Sequence, residues 1–530
     1  MVFKKLKEKF KSLLNQEKPD QKGESEKQVL YQSLAKNEKY FREIFNKCSD
    51  VVFRNFEITT PKSIRVLMIY LDGMSSFIIG ELTVRQLMVR YLNDKAAIQE
   101  PPIKHAKDHV ISIPEVKPES QMAKLVDFVL SGDIILIIDG EPEGLVISSR
   151  GWQSRSVTEP QAEPLVRGPR DGFTETIRTN TSLIRRRIKS SRLKMESLEV
   201  GSITKTSVII AYIEGIANEK VVEEAKNRIK RIETDSVLES GYLEQFIEDD
   251  PWSIFPQVDV TERPDKVCGN LLEGRIAILV DNTPFVLLIP VLFLQFLQTP
   301  EDYYMRPYQA SALRILRLAT LNIALLLPSF YIAITTFHQE MLPTPLLVSI
   351  AQAREGVPFP ALVEALLMEL AFEILREAGL RLPRPMGQAV SIIGGLVVGQ
   401  AAVSAGLVSP AMLIVVALTA MASFSLPTAH ATEAIRILRF PIMFLAATLG
   451  LFGVMAVLLV ILIHLCSLRS FGAPYLSPIA PLSVRDLKDV PMRAPWWAMF
   501  TRPRVIGYKE PSRQKFGQMP RPPKKREKKS

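Results

Sequence analysis

Charged side chains are absent from two long stretches near the C-terminal end of the chain. Residues 385–429 and 440–468 contain no Asp, Glu, Lys or Arg. A bilayer span needs about 20 apolar residues, whereas an apolar run of about 14 or fewer is more typical of a buried core helix. Residues before about 261 and after about 469 are as charged as an ordinary soluble protein. The pattern therefore predicts a multi-domain membrane protein with a large water-soluble head.

Short apolar runs in the N-terminal half recur at one fixed offset of 142 residues. Residues 132–147 align without gaps with residues 274–289, and six of these 16 positions are identical. At the same offset, residues 66–74 align with residues 208–216. Because the two matches share an offset, they predict an ancient duplication.

Each copy is predicted to be a small α/β module with a strand, a glycine turn, two helices and a closing hairpin. The first of these helices is clearest over Glu219–Ile232, where apolar and charged residues follow helical spacing. The hairpin turns are predicted at Asp139-Gly140 and Asp281-Asn282, residue types that tolerate positive φ. The predicted fold class is a duplicated α/β cytoplasmic head followed by an all-α transmembrane domain.

These patterns divide the chain into five predicted regions. They are a basic amphipathic and flexible N-terminus over 1–34, a first α/β module over 35–150, a second over 151–290 that opens with a linker from Gly151 to about Lys205, a transmembrane helical domain over 291–467, and a basic disordered tail over 468–530.

Residues 276–298 are apolar enough to form a span, apart from Asp281. The repeat instead assigns residues 276–289 to a hairpin, which keeps the carboxylate out of lipid. Residues 291–297 are then an interfacial helix. Four spans are predicted, over 318–337, 389–408, 411–427 and 441–465, and six crossings are the alternative. An even number keeps both termini on one side.

Positive charge is concentrated in the tail. Residues 467–530 hold 15 Lys or Arg against four Asp or Glu, an excess of 11 in a chain of net charge +10. Such a segment is predicted to stay inside and to bind anionic lipid, and not nucleic acid. The three cysteines are far apart and form no CxxC pair, so neither a disulfide scaffold nor a zinc knuckle is expected.

The segment from Pro358 to Ala378 is predicted to be a helix that is apolar yet rich in carboxylates. In lipid, these carboxylates must face water, a cation or a basic partner. In an oligomer this helix would line a pore, with a dewetting gate near its start and an acidic ring beyond it. The alternative is an interfacial helix with internal Glu–Arg pairs. The candidate pore and gate residues are Leu362, Val363, Leu366, Glu369 and Glu373.

A stripe of small residues follows one face of the next predicted span. Small residues at this spacing allow two helix backbones to approach closely in lipid, within one subunit or between subunits. The stripe comprises Ser391, Gly395, Gly399, Ala402 and Gly406.

Enzyme signatures are absent from the sequence. It contains no phosphate-binding loop ending in Gly-Lys-Ser/Thr, no GxSxG elbow and no HExxH motif. We therefore expect neither catalysis nor a bound cofactor or metal.

Several motifs resemble those of one family. Residues 159–164, 166–175 and 180–187 look like the signature of the A subunits of spore germination receptors, the GerA family. Residues 280–284, 300–304, 376–379 and 381–383 and the basic tail add to the resemblance, which covers roughly residues 40–500. Asn282 stands where the family more often has Gly, and it suits the same turn.

The resemblance implies a multi-pass protein of the bacterial spore inner membrane, with its head and tail facing the spore core. It implies a permease-like B subunit and a lipoprotein C subunit as partners. It also implies a homo-oligomer that forms a germinant-gated cation channel. A paralogous SpoVA-operon membrane protein is an alternative. A secondary transporter is another, although transporters carry their repeats inside the membrane.

Overall fold

The structure is a computed structural model that describes residues 28–58, 63–93, 102–106, 116–151, 159–160, 162–381, 394–504, 506, 510–515 and 517–520. Most of the N-terminal segment predicted over 1–34, and the last ten residues of the tail, lie outside the described residues.

The first α/β module is a five-stranded antiparallel sheet with helices on both faces. Alternate residues of a strand point to opposite faces, so a strand covered on both sides reads as a continuous apolar run. The module contains α1 Leu34–Ile44, β1 Val51–Ile58, β2 Ile64–Leu71, α2 Phe77–Asn93, α3 Pro102–His105, β3 Val116–Glu119, α4 Met122–Leu130, β4 Ile134–Ile138 and β5 Gly144–Ile147, with strand order β1-β2-β4-β5-β3.

The second α/β module repeats this topology. Val66 pairs with Ile138 in the first sheet, and Val208 pairs with Val280 in the second, so the register is conserved at the offset of the sequence repeat. The predicted duplication is confirmed. The module contains α5 Ile177–Arg187, β6 Leu193–Val200, β7 Thr206–Ile213, α6 Glu219–Lys230, α7 Ser240–Ile247, β8 Asp259–Thr261, α8 Pro264–Glu273, β9 Ile276–Val280 and β10 Val286–Ile289, with strand order β6-β7-β9-β10-β8.

The repeated aspartates bind the first helix of each module. Asp139 Oδ1 accepts a hydrogen bond of 3.0 Å from the Leu34 N–H, and Asp281 Oδ1 accepts one of 3.1 Å from the Ile177 N–H. Each carboxylate therefore satisfies a backbone donor at a helix N-terminus, where negative charge is favoured. The aspartate of the hairpin turn has the same role in both modules.

The prediction of a linker from Gly151 to about Lys205 is wrong. α5 and β6 fall within it, and both belong to the second module. α5 and β6 correspond in topology to α1 and β1 of the first module. The two pairs of elements have little sequence identity, so the repeat did not reveal the correspondence. The matched strands β2 and β7 are the second strands of their modules, and not the first.

The hairpin predicted over 276–289 is present as β9 and β10. Asn282 occupies its turn with φ of 70°, a conformation that Asn tolerates better than most residues. Asp281 is half-buried beside the N-terminus of α5. Residues 276–289 therefore belong to the head and do not form a membrane helix. The interfacial helix predicted over 291–297 appears as a short 3₁₀ helix, Phe293–Leu297.

The two modules are joined by a buried ion pair. Arg185 Nε donates to Asp50 Oδ2 at 2.6 Å and Arg185 Nη2 donates to Asp50 Oδ1 at 2.9 Å, with both side chains 1% exposed. Nearby, the Ser49 N–H donates to the Met195 carbonyl at 2.9 Å. The modules consequently form one continuous head.

The helical region follows a second 3₁₀ helix, Pro300–Tyr303. The helices of this region pack around one apolar core, which includes Ala324, Ala365, Met412 and Ile442. They are α9 Pro307–Phe337, α10 Thr344–Arg354, α11 Ala361–Arg381, a π-helical turn Gly394–Val398, α12 Gly399–Ser404, α13 Pro410–Phe424 and α14 Ala429–Ser467.

α14 is folded back on itself at Gly450. Gly450 has non-helical angles of φ 61° and ψ −142°. A Cβ on Gly453 would collide with the carbonyl oxygen of Leu445, although residues eight apart in a straight helix are separated by about 12 Å. The element is therefore two antiparallel legs, residues 429–449 and 451–467, and the span predicted over 441–465 crosses the bend.

Two described segments, Pro307–Phe337 and His430–Ser467, have the length and apolar composition to cross a membrane, and the second of them is divided into two legs at Gly450. The span predicted over 318–337 lies within the first. The one predicted over 411–427 corresponds to α13, which is shorter. The span predicted over 389–408 begins outside the described residues, and its described part runs without interruption from the π-helical turn into α12, which ends at Ser404.

The tail is ordered over its first part, contrary to the predicted disorder of 468–530. Tyr475 is fully buried, and its hydroxyl donates to the Pro256 carbonyl at 2.6 Å. Phe471 joins the core of the second module, where the Arg228 guanidinium lies 4.4 Å from its ring centroid. Apolar and aromatic residues among the basic ones allow this segment to pack against the head.

Candidate functional site

Arg439 is the centre of a buried polar cluster in the helical bundle. Its Nη1 lies 2.5 Å from Glu369 Oε2, and the two side chains are 2% and 1% exposed. Arg439 also donates to the Ala324 carbonyl at 2.8 Å and to Ser423 Oγ at 3.0 Å. One guanidinium thus connects α9, α11, α13 and α14.

Two further glutamates of α11 have partners from other segments. Arg436 Nε donates to Glu373 Oε1 at 2.8 Å, about one helical turn from the Arg439 pair. Glu364 is fully buried and accepts a hydrogen bond of 2.9 Å from the Ser409 N–H, with Arg354 at 3.3 Å. Glu364, Glu369 and Glu373 of α11 therefore have basic partners within one subunit. Of the environments predicted for them, water, a cation or a basic partner, the structure shows the last.

The sequence could not identify these arginines as the partners. Arg436 and Arg439 lie 63 and 70 residues beyond Glu373 and Glu369. They stand just before the charge-free stretch that starts at Phe440. Two arginines at i and i+3 beside an apolar run were the available signal, since such charges in a bundle require acidic partners.

The three predicted gate residues lie in the first turns of α11. Leu362 and Leu366 are half-buried and pack against the bundle core, and Val363 is half-buried beside them. The outward face of the same helix is apolar, with Leu367, Leu370 and Ile374 exposed. The helix therefore has one polar edge paired to α14 and one exposed apolar face.

The predicted small-residue stripe has no single role. A Cβ on Gly399 would lie 3.1 Å from Leu413 Cδ1, so this glycine permits close packing of α12 on α13. Ala402 packs against the bundle core. Gly406 takes φ of 67° in the turn before α13, and a Cβ on Gly395 would meet no described atom within 4 Å beyond its own stretch of chain. Ser391 lies outside the described residues.

A second group of buried charges joins the head, α9 and the tail. Asp302 is fully buried and binds Arg314 Nε at 3.0 Å and Arg317 Nη1 at 2.8 Å. Arg314 also binds Asp489 Oδ1 of the tail at 2.9 Å. Burial opposes ionisation of Asp302, but the two arginines outweigh it and lower its pKa. In the sequence, residues 300–304 stand out only as a motif that resembles the GerA family.

The geometry describes ion pairs that tie helices and domains together. Among the described residues, no group of three or more His, Cys, Asp or Glu side chains could hold a metal ion. The fold and the buried charges define a two-part protein, an α/β tandem head tied to an apolar helical bundle.

Comparison with known proteins identifies the family. The model for "Bacillus/Clostridium GerA spore germination protein" matches residues 39–505. The chain therefore belongs to the GerA family, the A subunits of spore germinant receptors.

Similar proteins cover nearly the whole chain. Spore germination protein KA of Bacillus subtilis (strain 168) is 47% identical over 501 residues, which is 94% of this chain and 91% of that protein. Uncharacterized membrane protein YfkQ of the same organism is 48% identical over 86% of this chain and 88% of its own length. Spore germination protein GerLA of Bacillus cereus is 41% identical, over 84% and 90% respectively.

One solved structure is also similar. It is the N-terminal domain of the A subunit of the Bacillus megaterium spore germinant receptor GerK3, which is 38% identical. The match covers 50% of this chain and 98% of that domain, with a TM-score of 0.40.

Proposed function

We propose that this chain is the A subunit of a nutrient germinant receptor in the spore inner membrane. It assembles with a permease-like B subunit, a lipoprotein C subunit and further copies of itself into a cation channel that nutrient opens. The tail binds anionic lipid on the core side. Family membership supports the receptor role, and the arrangement of α11 supports the channel.

The observation that carries the channel proposal is the paired glutamates inside an apolar bundle. An unpaired charge at membrane depth costs about 2.5–3.5 kcal/mol unless it is hydrated. In the closed state Arg439 and Arg436 neutralise Glu369 and Glu373. A rotation of α11 toward a central axis would exchange these arginines for water and cations, with Leu362, Val363 and Leu366 as the gate.

The contacts at both ends of the bundle support an even number of crossings. Ser253 Oγ of the head lies 2.9 Å from His464 Nε2 at the end of α14. The Thr428 hydroxyl, at its start, donates to the Phe296 carbonyl at 3.3 Å. The bend at Gly450 lies against His338, at the far end of α9. Both legs of α14 therefore span the bundle. Counted separately, they turn the four predicted spans into five, and α11 as a pore-lining helix makes six, so this arrangement favours six crossings over four.

A topology experiment tests this arrangement. Asp281→Cys, in a Cys466→Ser background, should react with an impermeant thiol reagent only from the side on which Ser512→Cys reacts. Asp281 lies in the head, and the head contacts the tail. Labelling is compared in sealed and permeabilised vesicles. Protection of Asp281→Cys from both sides would return this segment to the membrane and contradict the proposed topology.

A conductance experiment tests the channel. Leu366→Ser should increase cation leak without nutrient, because a polar side chain favours wetting of an apolar constriction. Glu373→Gln should reduce the preference for cations over anions. The receptor with its B and C subunits is reconstituted in liposomes, and ion flux is measured with and without nutrient.

Leu459→Ser is the matched control for the leak, since Leu459 is exposed on the second leg of α14. If Leu366→Ser and Glu373→Gln assemble and respond to nutrient like the parent, α11 does not line a pore. Flux that never depends on nutrient would favour the alternative role as an amplifying SpoVA-operon paralogue.

A further inference from the structure

A cavity of about 370 Å³ lies where the second module, the two 3₁₀ helices and the tail meet. This volume falls within the range of about 300–1,000 Å³ typical of small-molecule sites. Apolar atoms form most of its wall, with several polar and charged side chains among them. The polar and aromatic residues that line it include Asp265, Arg275, Gln295, Tyr303, Trp496 and Arg513.

Arg275 is the unusual member of this wall. It is 5% exposed, and its Nη1 donates to Asn270 Oδ1 at 2.6 Å. Its Nε has no hydrogen-bond partner, and no described carboxylate lies within ion-pair distance of its guanidinium. Burial lowers the pKa of Arg275, although the charge of Glu273 opposes this effect. A buried guanidinium without a direct counter-ion is costly to maintain, and an oxyanion is its best-matched partner.

Asp265 and Gln295 line the same cavity, and each has one acceptor oxygen without a partner. Asp265 Oδ1 and Gln295 Oε1 are buried and accept no hydrogen bond. The other oxygen of Asp265 is occupied, since it accepts from the Tyr304 hydroxyl at 2.7 Å and from Arg263 at 3.0 Å. The wall thus offers one free cationic donor and two free acceptors.

We propose that this cavity is a binding site for a small oxyanion, a carboxylate or phosphate group, that also carries hydrogen-bond donors. Arg275 binds the anionic oxygens, and Asp265 and Gln295 accept from the donors. The nearby carboxylates of Asp265 and Glu273 disfavour a multiply charged anion. The site does not depend on the channel proposal, since it lies in the head and the tail.

Occupancy of this cavity is connected to the helical bundle. Tyr303, which lines it, donates to Asp489 Oδ2 at 2.9 Å. Asp489 in turn binds Arg314 near the start of α9. A ligand that reorders Tyr303 would therefore change a contact that holds the first helix of the bundle to the tail.

The test uses the full chain in phosphatidylcholine nanodiscs, titrated with inorganic phosphate and, separately, with glycolate. Binding is measured by calorimetry and by the fluorescence of tryptophan, since Trp496 lines the cavity. We expect saturable binding of at least one anion. Arg275→Gln should weaken it by about ten- to a hundredfold, as expected for loss of hydrogen bonds to a charged group.

Arg231→Gln, at an exposed position beyond α6, is the matched control and should bind like the parent. Gln295→Met provides a second variant that retains the charge, in case Arg275→Gln does not fold. It should weaken binding less than Arg275→Gln does. Absence of saturable binding, or equal affinity in the parent and both cavity variants, would overturn the proposal.

The same titration in nanodiscs with phosphatidylglycerol separates the two sources of the anion. If anionic lipid removes the Arg275-dependent binding of free anion, the site takes a lipid phosphate. If the free anion still binds in phosphatidylglycerol nanodiscs, the ligand is a soluble anion that enters from the compartment that contains the tail. Both outcomes support an oxyanion site at Arg275.

Discussion

Replacing Arg439 by Met should lower the free energy of unfolding by about 3–5 kcal/mol, the usual loss when one partner of a buried ion pair is removed. Glu369 would be left 1% exposed without its counter-ion. The Ala324 carbonyl and Ser423 Oγ would also lose their donor. The measurement is the denaturant midpoint and slope of the purified protein in detergent.

The control for this variant is Arg381→Ala on the same bundle. Arg381 pairs with Glu377, but their side chains are 80% and 60% exposed, so its removal should change stability by less than about 1 kcal/mol. The double change Glu369→Gln with Arg439→Met should recover part of the loss, because no unpaired charge remains. Equal losses from Arg439→Met and Arg381→Ala would show that the buried pair does not hold the bundle together.

Arg185→Met should separate the two modules of the head and destabilise it by about 3–5 kcal/mol. Asp50 would remain buried at the module interface without its bidentate partner. Cys48 lies at this interface, with its Sγ 3.6 Å from the Leu193 carbonyl. Its reaction with a thiol reagent should therefore accelerate together with the loss of stability.

An exposed ion pair between the same modules provides the control. Arg178 Nε lies 3.2 Å from Asp72 Oδ2, with side chains 47% and 44% exposed. Arg178→Met should change stability by less than about 1 kcal/mol and leave Cys48 protected. If Cys48 reacts at the parent rate in Arg185→Met, the interface is held by its backbone and apolar contacts instead.

Local patterns predicted the parts of the fold that depend on burial. The apolar runs of β4 and β9 and their common offset predicted the duplicated module, because a strand covered on both faces must be apolar throughout. Asp281 within the second run predicted a hairpin, since a carboxylate does not suit a lipid-facing helix. The carboxylates of α11 predicted a need for partners, but the partners themselves were not identified.

The sequence by itself determined that this protein has a duplicated α/β head, an apolar helical region and the motifs of the GerA family. Hydropathy and charge along the chain predicted the helical region, the repeated runs at one offset predicted the duplication, and the resemblance of short motifs indicated the family. Each of these signals lies within a short segment of the chain. Only the tertiary structure decided that Arg439 neutralises Glu369, that α14 folds back at Gly450, and that the tail packs on the head. These features join segments distant along the chain, and the pattern on one segment does not specify which surface it meets.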